Sequence, residues 1–283
     1  MVGIGVPLCR PSLNLKIMAR NNSFVKLEGT LDGLTFYNKD GKNFVKTKSK
    51  VSRKRIMNDP AYRRTRENMK EFGGAAKIGK AFRDGFAGLV SVMGDTYLSA
   101  RVNAIMKRIN SLGAGLRGER DFDIISHREQ FANFEFDNTT AFDTIFYAPF
   151  DVPSITASRD VIQWDIPDFD TDSFVRVPEG ATHFKLVLGG SYVNSYAYNN
   201  ATKNYEPTDD AVNGRGNSLY SAAISIGGPV GAATNLTLDL SSLGAIPASS
   251  ALFVGIGIVF YQDVNGSLYA LAQDNAMKIV TSA

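Results

Sequence analysis

The stretch Ala251-Leu252-Phe253-Val254-Gly255-Ile256-Gly257-Ile258-Val259-Phe260-Tyr261 is the longest apolar run in the chain. It is about half the length of the roughly 20 residues a membrane helix needs. Its β-branched and aromatic residues suit a pleated surface. Just beyond it, Asn265-Gly266 is the clearest two-residue hairpin turn in the sequence. The run therefore reads as a buried strand, Leu252–Gln262, turning into a second strand at Leu268–Leu271 and followed by a third at Ala276–Thr281.

The same texture extends back to Arg120. Short runs rich in Val, Ile, Phe and Tyr alternate with Pro, Gly, Asn and Asp at Phe134–Phe136, Thr144–Tyr147, Val161–Trp164, His183–Leu188, Ala222–Ile226 and Leu236–Leu240. Eight or nine short strands in succession predict a β-sandwich or jelly roll. The pattern before Arg120 differs. Val25, Leu27 and Leu31 fall on one face, and turns at Asp32-Gly33 and Asp40-Gly41 separate further strands around Phe36 and Phe44–Lys48. This small meander needs a lid. Asp59-Pro60 opens a helix, with Tyr62, Met69, Phe72, Ala76, Phe82, Phe86, Leu89 and Met93 recurring at helical steps. A second helix carries Leu98, Val102, Ile105, Ile109 and Leu112 and ends in the glycines of 113–118. The expected fold is α+β: a small N-terminal β-meander with helices, followed by an all-β sandwich or jelly-roll domain. Its expected divisions are an extension at 1–17, a basic module at 18–112, a hinge at 113–129 and an acidic sandwich at 130–283.

Charge divides along the same line. Residues 1–120 hold 24 of the 31 Lys and Arg but 9 of the 28 Asp and Glu, a net +15; residues 121–283 are net −12. Such asymmetry suggests surfaces with different partners. One cysteine, Cys9, and two histidines, His127 and His183, leave no disulfide within the chain and no Cys- or His-rich metal site. Met1–Ile17 lacks the basic region of a secretory signal, so Met18 is the expected start and the cytoplasm the expected compartment. The five Asn-x-Ser/Thr sequons, at Asn21, Asn138, Asn200, Asn235 and Asn265, follow from composition.

Two candidate sites stand out. Arg53, Lys54, Arg55, Arg63, Arg66, Lys70 and Lys77 form a basic segment able to neutralise phosphates or meet an acidic protein partner. The same charges also suit a solvated helix face paired with Glu67 and Glu71. The Tyr192–Tyr205 stretch, with Tyr192, Tyr196 and Tyr198, could stack on a ligand or fold back on the sandwich. Asp168, Asp170, Asp172 and Glu179 share the spacing of a calcium loop but lack its glycine, so they read as an ordinary acidic loop. Gly113, Gly115 and Gly118 match a dinucleotide motif without the strand before it, and so read as a linker. Trp164 reads as core. No nucleophile, metal-ligand or cofactor motif is present, and no catalytic residue is assigned.

The segments Leu27-Glu28-Gly29-Thr30-Leu31-Asp32-Gly33-Leu34-Thr35-Phe36-Tyr37 and Asn58-Asp59-Pro60-Ala61-Tyr62-Arg63-Arg64-Thr65-Arg66-Glu67-Asn68 resemble the opening of an uncharacterised family of bacterial proteins. The resemblance covers about residues 18–120. It implies Met18 as the start and supplies no activity or ligand residues. The sequence points to a non-enzymatic interaction or structural protein without cofactor or membrane segment, associating with itself or with a protein. The alternative is nucleic-acid binding through the basic helix, residues 53–83.

Overall fold

The computed structural model describes residues 18–20, 27–39, 41–47 and 51–283. The fold is α+β, in two compact units, Met1–Arg63 and Arg64–Ala283.

The first unit is a four-stranded antiparallel sheet of β1 (Met18–Arg20), β2 (Gly29–Leu31), β3 (Leu34–Lys39) and β4 (Lys42–Thr47), in the order β1-β4-β3-β2. Asp32 (φ 43°) and Gly33 (φ 80°) both adopt the positive φ that a tight hairpin turn requires. Three of these strands follow the expected meander; β1 is additional, and Val25 lies outside the described residues. A short helix, α1 (Arg53–Asn58), is capped by Ser52, whose hydroxyl accepts from the Arg55 amide. Asp59-Pro60 then starts one 3-10 turn. Among the described residues of this unit none is buried, and Leu31 is 68% exposed.

The helices expected to lid the meander belong to the second unit. They are α2 (Arg63–Gly85), α3 (Ala87–Met93) and α4 (Leu98–Leu112). Phe82, Phe86, Leu89 and Met93 enter the core as the periodicity predicts, whereas Met69 and Phe72 are exposed. Gly74, Ala75, Ile78, Gly79 and Gly85 occupy the inward face of α2 in their place. Small residues let the helix approach closely: a Cβ at Gly85 would lie 2.6 Å from the Ser191 Cβ, and one at Gly189 would lie 2.7 Å from Leu89 Cδ1.

Beyond them come β5 (Ser154–Ile155), β6 (Val161–Ile166), β7 (His183–Asn194), β8 (Tyr196–Asn199), β9 (Asn204–Pro207), β10 (Gly216–Tyr220), β11 (Ile224–Ser225), β12 (Thr234–Asp239), β13 (Ser250–Val264), β14 (Ser267–Ala270) and β15 (Ala276–Ser282). A six-stranded sheet runs β10-β7-β13-β14, with β11 also on β7 and β15 also on β13. β7 and β13 pair from His183↔Tyr261 to Asn194↔Ser250. A second sheet, β12-β6-β5, closes a sandwich-like core in which Ile162, Trp164, Leu236 and Leu238 meet Leu186, Leu188, Leu252, Val254 and Ile256. Alternate residues of the same central strands, Val187, Val193, Ala251 and Phe253, meet the helices in a separate core. The large sheet is therefore covered on both faces, which is why β13 is a continuous apolar run rather than an alternating one.

Other expectations shift with this arrangement. Phe134–Phe136 and Thr144–Tyr147 are not strands, but Phe134, Phe136 and Phe146 fill the cores. The 113–129 segment is no hinge between domains. Glu71, 1% exposed on α2, accepts from the Gly118 amide (2.7 Å), Lys107 Nζ (2.6 Å), and Arg120 Nε and Nη2 (2.9 and 3.0 Å). Burial pushes its carboxyl up, but the hydrogen bonds from Arg120, Lys107 and Gly118 outweigh it and hold the pKa at about 2. The division between the two units falls at Arg63 instead, and within the second unit the helices and the large sheet share a core. No helix among the described residues is long and apolar enough to cross a membrane.

Candidate binding groove beside the basic helix

The seven predicted cations are divided between the two units. Arg53, Lys54 and Arg55 belong to α1 in the first unit, Arg63 stands at the division, and Arg66, Lys70 and Lys77 lie on α2 in the second. Arg55 pairs with Asp59 at 3.2 Å. Glu67 faces Arg64 (2.8 Å) and Arg117 (3.8 Å), while Glu71 turns inward to its clasp rather than outward to the basic face.

Lys70 and Lys77 meet the tyrosine stretch. From Tyr196 onward that stretch is a hairpin, β8–β9. Its position is fixed by paired backbone bonds between Phe122 and Tyr196. It lies against α2 because Gly74 has no side chain: a Cβ there would come 2.6 Å from Tyr205 Cδ2. Tyr205 forms the floor, edge-on to Phe122 at 5.1 Å and to Tyr198 at 5.2 Å. Lys70 Nζ donates to Glu119 Oε1 at 2.9 Å and stands 4.8 Å from the Tyr198 ring. The Glu119 hydrogen bond is the main reason its pKa is raised. Lys77 Nζ donates to the Tyr205 carbonyl at 3.2 Å.

The three tyrosines have different positions. Tyr192 is buried in β7, where its hydroxyl donates to the Arg159 carbonyl at 2.5 Å and burial pushes its pKa up to about 12. It lines no ligand surface. Tyr196 is also buried, its hydroxyl accepting from Asn213 Nδ2 at 2.6 Å. Only Tyr198 is partly open.

Two adjoining cavities, of about 320 and 220 Å³, share Lys77 and Tyr205. The larger is bordered by Lys80, Asp84, Glu206 and Asp210, the smaller by Met69, Lys70, Tyr198 and Lys203. Their charges are mixed. Lys80 pairs with Asp84, and Glu206 accepts from Asn199 Nδ2 (2.6 Å) and Thr202 Oγ1 (2.7 Å), which hold its carboxyl below the usual range. Such a groove offers polar donors and acceptors beside one aromatic edge and an exposed methionine. That chemistry suits a polypeptide segment. Tyr205 stood in the sequence only as the end of the tyrosine stretch, and Glu206 and Asn213 were not picked out. The alternation of Tyr196, Tyr198 and Tyr205 across Asn-rich turn residues was the available signal for a hairpin.

The other sequence motifs serve local structure. Asp170 accepts from the Ser173 amide and Asp168 from the Gly231 amide. Among the described residues no three His, Cys, Asp or Glu side chains are grouped to hold a metal ion. Trp164 is fully buried, edge-on to Phe150. Elsewhere Glu135 accepts from the Phe142 amide while Lys278 grips Asp143 at 2.6 and 2.7 Å. Burial pushes Glu135 up to about 7. No protein-family model, curated protein or solved structure matches the chain.

Proposed function

We propose that this chain is a non-enzymatic interaction and assembly protein. The second unit is its body, and the basic first unit is a connector to an acidic protein surface, that of a second copy. The observation supporting this is how charge and burial are divided. Residues 1–63 carry 13 Lys and Arg against 4 Asp and Glu, net +9, and none of their described members is buried. Residues 64–283 carry 18 against 24, net −6, and hold both hydrophobic cores. A small sheet with no buried side chain gains stability by covering its apolar face. Opposite net charge favours a copy of the same chain as the cover. The acidic sandwich supplies the recognition surface and the α2–hairpin groove a second contact. The single cysteine fits a cytoplasmic setting.

Light scattering of the full chain across a salt series tests the reading. A mass above the monomer at low salt, falling toward the monomer as charges are screened, is expected. A monomer at every ionic strength would overturn it. The alternative of nucleic-acid binding along residues 53–83 has weaker support, because Lys70 and Lys77 are engaged with Glu119 and the Tyr205 carbonyl.

A further inference from the structure

Residues 133–136 run along the outer edge of β15. The Asn133 and Phe136 amides donate to the Ile279 and Met277 carbonyls, and the Ile279 amide donates to the Phe134 carbonyl, each at 2.9 Å. The chain then wraps round the sheet. Phe134 and Phe136 are buried in the core on the helix side, Phe142 and Phe146 in the core on the opposite face. Arg101 of α4 steadies the near end, donating to the Glu135 and Phe136 carbonyls at 2.6 and 2.9 Å and to Asp95 at 2.8 Å. Glu135 is half-buried and lies opposite Lys278, and its carboxylate accepts from the Phe142 amide at 3.1 Å. Lys278 Nζ, however, donates to both oxygens of Asp143. One buried lysine thus serves two carboxylates, while Arg101 is matched by Asp95. Asp137, farther along, accepts from the Thr139 amide and hydroxyl. With Glu135 and Asp143 both ionised, this edge carries one negative charge more than Lys278 neutralises. Burial is the main reason the Glu135 pKa is pushed up to about 7. Asp143 adds to the rise, and the Phe142 amide, Lys278 and Arg101 oppose it.

We infer that residues 133–143 are a pH-sensitive strap, closed over the edge of β15 while Glu135 carries a proton and loosened when it ionises. A protonated Glu135 keeps an oxygen for the Phe142 amide and leaves Lys278 to Asp143. An ionised Glu135 must go without a cation or draw Lys278 away from Asp143. Turning into water relieves it, at the expense of the Phe142 hydrogen bond. In the loosened strap the carboxyl returns to its ordinary 4.5, so loosening becomes easier as pH climbs from 4.5 to about 7 and levels off above. Glu71 is ionised throughout that interval and adds no pH dependence of its own. Loosening uncovers a strand edge, and an uncovered edge is a template for pairing. The inference does not rest on self-assembly by charge, because it concerns one edge within one chain.

The test is hydrogen exchange of the full chain at one ionic strength, from about pH 5 to about pH 7.5, corrected for intrinsic rates. The reporters are the Asn133, Phe136 and Ile279 amides, with those of β13 for comparison. The reporters should exchange through an opening of lower free energy than β13, and their protection should fall by about fiftyfold across the range. In Glu135→Gln, whose side-chain carbonyl still accepts from the Phe142 amide, the fall should shrink to about twofold or less. Glu135→Ala loses that acceptor, so protection should already be below wild type at the acid end and follow the same flat profile. Equal wild-type protection at both ends of the range would overturn the inference. So would a fall that persists in Glu135→Gln, or reporters that exchange only together with β13.

Discussion

Strand β13 is buried at every position from Ser250 to Phe260, whereas no described residue of β2, β3 or β4 is buried. Both regions are antiparallel sheet with β-branched and aromatic residues, so strand propensity does not separate them. Coverage does. The large sheet has helices on one face and a second sheet on the other, and it carries Gly189 against Leu89 and Ser191 against Gly85, where the helices come closest. The small sheet has a tight hairpin turn at Asp32-Gly33 and yet no buried side chain among its described residues. A chain can thus specify a sheet locally and leave its burial to something else.

The contrast should be sharpest in stability. Phe82 is fully buried and in ring contact with Phe86, Phe131, Phe134, Phe136 and Phe253. Phe82→Ala should cost about 3–5 kcal/mol in denaturant unfolding, while Leu31→Ala should change that unfolding by less than about 0.5 kcal/mol. Comparable losses would mean that Leu31 belongs to a core after all.

The clasp comes next. Glu71→Ala leaves Lys107 and Arg120 without their anion and should cost about 3 kcal/mol at neutral pH, the lower end of the range because both cations keep some access to water. Glu71 ionises at about 2 when folded, below its ordinary 4.5, so its contribution is complete above about pH 4.5 and is lost as pH falls toward 2. Denaturant midpoints of wild type and variant should therefore converge in acid; parallel curves would show that the clasp is not the source.

Close approach gives a smaller effect. Gly85→Ala should cost about 1–3 kcal/mol by overpacking against Ser191, and Ser191→Gly should recover much of it. Smallest is Glu135→Gln. The Glu135 pKa is raised from 4.5 to about 7, so its ionisation costs stability as pH climbs through that interval. The variant should gain in melting temperature relative to wild type at pH 8 but not at pH 4.

What was legible in the sequence was local. Asp32-Gly33 and Asn265-Gly266 turn where expected, with positive φ at all four residues, because a two-residue hairpin needs nothing distant. Strand β13 was legible because its apolar run is uninterrupted. The inward face of α2 was not. Met69 and Phe72 look like core beside Gly74 and Gly79, and the preference for small residues comes from what approaches them: Tyr205 at Gly74, α4 at Gly79 and Ser191 at Gly85. The division at Arg63 was hidden for the same reason: helix periodicity shows that a face is buried without naming what covers it. At the groove, Lys70, Lys77 and Tyr198 were each visible, but their convergence depends on Tyr205 folding onto Gly74.

The pairing of β7 with β13 also sets the order in which the molecule can be made. Its partners lie from 56 to 78 positions apart. Closing a segment of that length must precede the contacts that reward it, and such topologies fold slowly. On the ribosome β7 emerges well before β13. For that interval its two apolar faces and its open edge have no permanent partner, a state prone to aggregation. The helices, already synthesised and already amphipathic, are the natural temporary shelter. Refolding yield should consequently be limited by the arrival of β13 rather than by the formation of α2 to α4.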